Sequence, residues 1–485
     1  MRILRITALV LTIALAVSVF VSCGKSPSSN KNETDNLPAA ENPEIESEET
    51  TLGDGLPDID FGGADFTIAV RNSRLDDFFT EEETGEIKND AVFARNRVVE
   101  ERFGITLHVV DYSDDWNSGL RAVVNNSLLA ADGAFDIVVP DYWWGCETLG
   151  AFTDLLTLNY LDFDRPWWCH GWNQNVRILN KLYTAVGDYT LDMIRNQEVV
   201  FFNKRMVEDY SLGNIYETVS AGKWTLDKLN LDIAAVSADL NGDGKMTSDA
   251  DCFGASFGLH SGRNLFYSFG LRLASADEEG RYHYDYYNDR FENLYSGVHK
   301  LINLTDGVDY DKMSVDQIMS AMNENRLLFW FANVRNAETL RSLDADFGII
   351  PTPKFDENQE NYISSNLGTS YFAIPNYVTD TDRAAIILEA LNYESHRLVR
   401  PAYYDIVLKG KGTRDEDSEK MLDLVMDVSY IDFVFVNAAA LDYAAEAVFD
   451  AVIARKDSYA SSYEKRQNKD NKLMEKLMDS YAEMN

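Results

Sequence analysis

Phe66-Thr67-Ile68-Ala69-Val70, Asn89 to Phe103, Ile105 to Val110, Ser118 to Ala131 and Phe135-Asp136-Ile137-Val138-Val139-Pro140 follow one another in the chain, and their order decides the fold. The first, third and fifth runs are short and rich in branched apolar residues, the pattern of strands buried in a parallel sheet. Between them, Val92, Val99 and Phe103 mark one face of a helix, with Arg95, Arg97, Glu100 and Glu101 largely elsewhere. Leu120, Val123, Val124, Leu128 and Leu129 mark a second helix. This is β-α-β-α-β, which right-handed crossovers wind into a parallel sheet. Ligands of such sheets gather beyond the carboxyl ends of the strands. Arg71-Asn72 and Asp141-Tyr142-Trp143-Trp144 occupy those ends.

Further along, Leu182 to Val186 and Glu198 to Phe202 read as strands around the polar turn Gly187-Asp188-Tyr189. Met206 to Tyr210, Thr225 to Val236 and Ile302 to Leu304 belong to a mostly helical region, and Gln317 to Trp330 runs from a helix into an apolar strand. A second α/β core follows, with strands Phe347 to Pro351 and Tyr371 to Pro375 and a helix from Arg383 to Ser395. A last helix is expected near Ser462 to Met484, packed on the second lobe or frayed. The body exceeds the usual size of a single core, so two lobes are expected.

Upstream, Arg2 and Arg5, the apolar run Ile6 to Phe20, and Val21-Ser22 before Cys23 have the parts of a lipoprotein signal peptide. Cys23 is the expected lipidation site, and two acyl chains there would supply stable anchoring. Gly24 to Gly53 is polar and acidic and reads as a disordered tether. With 44 basic against 80 acidic residues, the formal charge of −36 argues against nucleic acid, whose phosphates require clustered Lys and Arg, and against anionic membrane surfaces. Membrane contact is expected through the lipid anchor only. Beyond Cys23 the cysteines are Cys146, Cys169 and Cys252, with a disulfide between Cys146 and Cys169 or free buried thiols as the alternatives.

Several stretches in series resemble the maltose-binding-like, sugar-binding family (family 1) of extracellular solute-binding proteins of ABC importers. They are Asn89 to Phe103, Phe201-Phe202-Asn203-Lys204, Gly222-Lys223-Trp224-Thr225, Asp346 to Pro351 and Pro401-Ala402-Tyr403-Tyr404-Asp405. The resemblance implies an α/β, two-lobed, periplasmic-binding-protein-like fold with crossing hinge strands, that of a type II solute-binding protein. Ligand is then enclosed between the lobes by hinge closure. The expected parts are a signal peptide (1–22), a tether (23–57), an N-terminal lobe (58–195 and 350–410) and a C-terminal lobe (196–349 and 411–485). The implied function is that of a lipid-anchored monomer on the extracellular face of the membrane, delivering a sugar or oligosaccharide to permease subunits.

Sugars stack apolar CH faces on aromatic rings and pair hydroxyls with polar groups. Trp330 resembles, in its setting, the segment that places a ring under the sugar in maltose-binding relatives. Trp143, Trp144, Trp167, Trp168 and Trp172 are further ring candidates, and each tryptophan could equally be packing inside a lobe. Arg71, Asn72 and Asp141 are polar candidates from their strand-end positions. Asp188 and Arg335 are implied by the resemblance, with Tyr371 and Tyr404 beside them. A salt bridge within a lobe is the alternative for the charged ones.

Asp239-Leu240-Asn241-Gly242-Asp243-Gly244-Lys245 matches the opening of a calcium loop. Asp239, Asn241 and Asp243 would supply side-chain oxygens and Lys245 its carbonyl, with Gly244 at the sharp turn. The twelfth position is Ala250, so Asp251 or Asp249 would close the site. A structural Ca2+ ion of millimolar-range affinity is the expectation, against a solvated acidic loop. The six histidines are scattered, and no nucleophile elbow or phosphate loop occurs. A non-enzyme is expected. A secreted glycoside hydrolase or a surface glycan-adhesion protein is the alternative, because a catalytic carboxylate pair is a three-dimensional property.

Overall fold

The computed structural model describes residues 53–115, 118–140, 150–408 and 416–483. The signal segment, Cys23, most of the tether, Asp141, Trp143, Trp144 and Cys146 lie outside the described residues.

β1 (Ala64–Arg71) is the centre of the first sheet, paired in parallel with β2 (Ile105–Tyr112) on one side and β3 (Ile137–Val138) on the other. The helix Ile87–Phe103 makes the first crossover and buries Val92, Val99 and Phe103 as the sequence pattern predicts, but it also buries Arg95, against that pattern, because its guanidinium donates to the Asp77 and Phe78 carbonyls. It stops at Gly104, whose φ of 59° suits a residue without a side chain; a Cβ there would collide with the Asp60 carboxylate. The helix Leu120–Ala130 makes the second crossover. Antiparallel bridges Val138↔Ala373 and Ala185↔Phe372 extend the sheet. The runs 182–186 and 371–375 thus join the first lobe through single bridges in place of full strands.

The second sheet is built from β4 (Glu198–Asn203), β5 (Phe253–Phe257), β8 (Val308–Tyr310), β9 (Leu327–Asn333) and β10 (Phe347–Pro351), in the order β10-β4-β9-β5-β8. β4 runs antiparallel to β9 and β10, while β5, β8 and β9 run parallel. Every residue of β4, β5 and β10 is buried, which is why these strands read as unbroken runs. β6 (Ala274–Ala276) and β7 (Tyr282–Tyr284) form a separate hairpin.

Chain crossings join the lobes. One runs through Asp192–Gln197 into β4. Another returns through β11 (Ser364–Ser365), which pairs with β12 (Ser429–Tyr430), and Asn366, which bridges Gln197. Ser364 donates its hydroxyl to Gln197 Oε1 at 3.0 Å and to the Glu198 carbonyl at 2.9 Å. The return lies later than the expected boundary at 349/350. β10 continues to Pro351, whose carbonyl accepts the Trp224 indole N–H at 2.9 Å, and Lys354 bridges Thr225, so this segment stays with the second lobe.

On one flank the β6–β7 hairpin touches the first lobe directly. Leu179 N–H donates to the Gly280 carbonyl at 3.0 Å and Tyr282 OH to the Asn175 carbonyl at 2.9 Å. The final helix, Ala460–Glu483, packs on β7 through buried Met474, Leu477 and Met478, and its Tyr481 ring lies 5.9 Å from that of Tyr183. Cys169 and Cys252 are buried free thiols.

Candidate ligand cleft

β1 delivers Arg71 to its carboxyl end, and the turn that follows carries Asn72 and Arg74. Asn72 is exposed and donates to Asp111 Oδ2 at 2.7 Å. Arg71 and Arg74 approach Asp192, at 3.8 and 3.0 Å. Asp192 is 1% exposed and sits on the crossing segment. It also accepts from Ser370 Oγ at 2.9 Å and Asn196 Nδ2 at 3.1 Å. One buried carboxylate therefore ties a strand end of the first lobe to both crossings. Three residues on, Arg195 pairs with buried Asp77 at 3.2 Å and approaches Glu338 at 3.8 Å.

The second lobe meets this junction at the carboxyl end of β9. Val334 N–H donates to the Gln197 carbonyl and Arg335 N–H to the Arg195 carbonyl, both at 2.9 Å. Arg335 reaches solvent, and its side chain makes no hydrogen bond or ion pair among the described residues. Partial burial, then the like charges of Arg74 and Arg195, hold its pKa below the ordinary arginine value. The pKa of His260, after β5, is likewise held down by partial desolvation of its ring and by Arg263 and Arg335. Glu198, 1% exposed at the root of β4, has its pKa pushed up to about 7 by burial, although Asn264 Nδ2 donates to it at 2.9 Å.

Other sequence candidates lie elsewhere. Trp330 is 4% exposed in the middle of β9, between Phe201 and Ser256, with its ring 5.6 Å from that of Phe201. The structure thus places it in the interior of the second lobe. Asp188 is 1% exposed and held within the first lobe by His396 Nδ1 at 2.5 Å and Arg400 at 3.5 Å. Tyr371 is 3% exposed and stacks on Trp172 at 6.4 Å. Trp167 and Trp168 both donate their indole N–H to the Glu389 carboxylate, at 2.7 and 2.9 Å. That carboxyl is 1% exposed, and burial pushes its pKa up to about 7. Tyr404 OH accepts from Arg400 at 3.3 Å. Arg71 and Arg335 are brought to the junction, which also contains Arg74, Asp77, Asp192 and Arg195, while Asn72 follows Arg71 but turns its amide to Asp111 on β2. Arg74, Asp77, Asp192 and Arg195 were not legible, because their partners are distant in sequence.

In the Asp239 loop, the two Asp239 oxygens accept the N–H groups of Gly242 and Gly244, each at 2.7 Å. Asn241 accepts from Asp243 N at 2.9 Å, and Asp243 from Lys245 N at 2.8 Å. Asp251 instead accepts from Leu240 N at 2.9 Å and Thr247 N at 2.7 Å. Among the described residues no group of three or more His, Cys, Asp or Glu side chains is placed to hold a metal ion. Each carboxylate keeps spare lone pairs, but a cation would require these side chains to turn toward a common centre.

Neither a protein-family model nor a curated protein matches the chain. Solved structures do. A sugar transporter from Rhizobium etli in an open conformation aligns with a TM-score of 0.54 at 12% identity, covering 86% of this chain and 99% of that one. A cyclo/maltodextrin-binding protein complexed with maltotetraose aligns at 0.52 and 11% identity, covering 86% and 97%. The GacH receptor of Streptomyces glaucescens, solved unliganded and with acarbose, aligns at 0.51 and 12% identity, covering 87% and 98%. The chain has their mixed α/β, two-lobed architecture, that of the type II solute-binding proteins.

Proposed function

We propose that the chain is the ligand receptor of an ABC importer, capturing a sugar or oligosaccharide between its lobes and releasing it intact to permease subunits. One observation carries the reading: the crossing segment lies between strand ends of both lobes, with Asp192 taking Arg71 and Arg74 and the Arg195 carbonyl taking Arg335 N–H. A ligand seated there touches both lobes, and only contacts better made when closed than when open can drive closure. Arg71, Asn72 and Arg335 are the proposed contacts, with Asp141 and Trp143 expected at the rim. Trp330, Asp188 and Tyr371 then act by packing the lobes behind the site.

Binding without turnover is the expected chemistry. Glu198 and Glu389, whose pKa values burial pushes up to about 7, are each 1% exposed. Calorimetric titration of the full chain in detergent with a saccharide panel, alongside a reducing-end assay, tests this. Saturable binding with no new reducing ends is expected, and release of reducing ends would move the protein to the hydrolases.

Lipid anchoring through Cys23 is part of the same proposal. No helix among the described residues is long and apolar enough to cross a membrane. Radiolabelled fatty acid should enter the wild-type protein and not Cys23→Ala. Calcium is proposed as a weak clamp on the Asp239 loop. Millimolar calcium should raise the melting temperature and chelation reverse it, whereas an unchanged melting curve would remove calcium from the account.

A further inference from the structure

Net charge makes the cleft unusual within its own chain. With −36 overall, the protein's mean field repels anions, yet four guanidinium groups meet where the lobes join. Arg71 and Arg74 both approach Asp192, and Arg195 is set between Asp77 and Glu338. The carboxylates of Asp77 and Asp192 are each 1% exposed. They are inside the protein and already engaged by Arg71, Arg74 and Arg195, and the charge of Asp192 offsets part of the repulsion felt by Arg335. Glu338, exposed and three residues beyond Arg335, is engaged by Arg195 at 3.8 Å and by the Tyr403 hydroxyl, from which it accepts at 2.8 Å.

Arg335 is the odd one out. Its backbone is fixed to that of Arg195, but its exposed guanidinium has no carboxylate, carbonyl or hydroxyl partner among the described residues. A planar, permanently charged fork of donors matches a carboxylate in bidentate fashion. A guanidinium can also donate to neutral sugar hydroxyls, but a carboxylate alone offers it a charge-assisted, two-pronged partner. Desolvation and then repulsion from Arg74 and Arg195 lower the pKa of Arg335, against the pull of Asp192, and a bound anion would relieve the repulsion. A small positive focus in an acidic molecule also steers an anion to one place.

Building on the saccharide-receptor reading above, we propose that the ligand is an acidic saccharide, and that the carboxylate of a uronic acid unit is held by the Arg335 guanidinium with Arg74 and Arg195 flanking it. No covalent step is involved.

The test is calorimetric titration of the full chain with galacturonate, glucuronate and mannuronate trisaccharides, their neutral galactose, glucose and mannose counterparts, and inorganic phosphate, in low and high salt. At least one uronide should bind, more weakly in high salt, and at least ~10-fold tighter than its neutral counterpart. Arg335→Gln should weaken that uronide by ~10- to 100-fold and leave the melting temperature in place, while Arg335→Lys should recover part of the loss. A neutral trisaccharide binding as well as its uronide would overturn the acidic-ligand inference and leave the saccharide receptor standing. Phosphate binding as tightly as the best uronide would overturn the saccharide assignment of the anion site. Silence from every saccharide would overturn both readings.

Discussion

Trp330 shows how far the role of a single residue depends on its surroundings. Its flanking sequence suits a ring under a sugar, but in the fold it has strands on both sides and 4% of its surface exposed. Trp330→Ala is therefore expected to cost about 3–5 kcal/mol of stability, the usual range for a buried aromatic truncated to alanine, measured by denaturant unfolding. Glu198 carries a second residue-scale prediction. Its folded pKa, pushed up to about 7, exceeds the ordinary glutamate value near 4.5, so the folded state holds the extra proton. Stability should then fall as pH rises from about 4.5 to 7, by on the order of 3 kcal/mol from this group alone. Glu198→Gln should flatten that part of the profile, raising the melting temperature at pH 8 and changing little at pH 4. An equally steep profile in the variant would assign the slope to other groups.

At the scale of elements, the first β-α-β-α-β run was legible because short runs of branched apolar residues alternate with two stretches of helical length, although the helix Ile87–Phe103 also buries Arg95 and Asn96, which the apolar pattern does not mark. The crossings were not. β11 and β12 are two residues each, too short for a period to register, and they are secured by side chains such as Ser364 on Gln197, 167 residues apart. The junction was legible only in part for the same reason. Arg71 is marked by the end of its own strand, whereas Asp192 depends on Arg74 and Ser370, 118 and 178 positions away. The short helix His170–Asn175 gives an element-scale prediction. It lies against β12, and a Cβ at Gly171 would run into the Ser429 backbone carbonyl. Gly171→Ala is expected to cost ~1–3 kcal/mol, as for other overpacked sites, read as a lower unfolding midpoint.

For the whole molecule, the proposed function requires that ligand change the lobes' separation. Small-angle scattering should show a smaller radius of gyration on saturation with the ligand that calorimetry identifies, and an unchanged radius would argue against a closing receptor. The direction of that motion is constrained by the flank where the β6–β7 hairpin and the last helix reach the first lobe through Gly280, Tyr282 and Tyr481. If those contacts hold while the proposed closure takes place, the lobes will swing like a door on its jamb and not shut like a symmetrical clam, so the unfastened edge would travel farthest, and a long ligand threading out of that edge would be sensed by its length as well as by its chemistry.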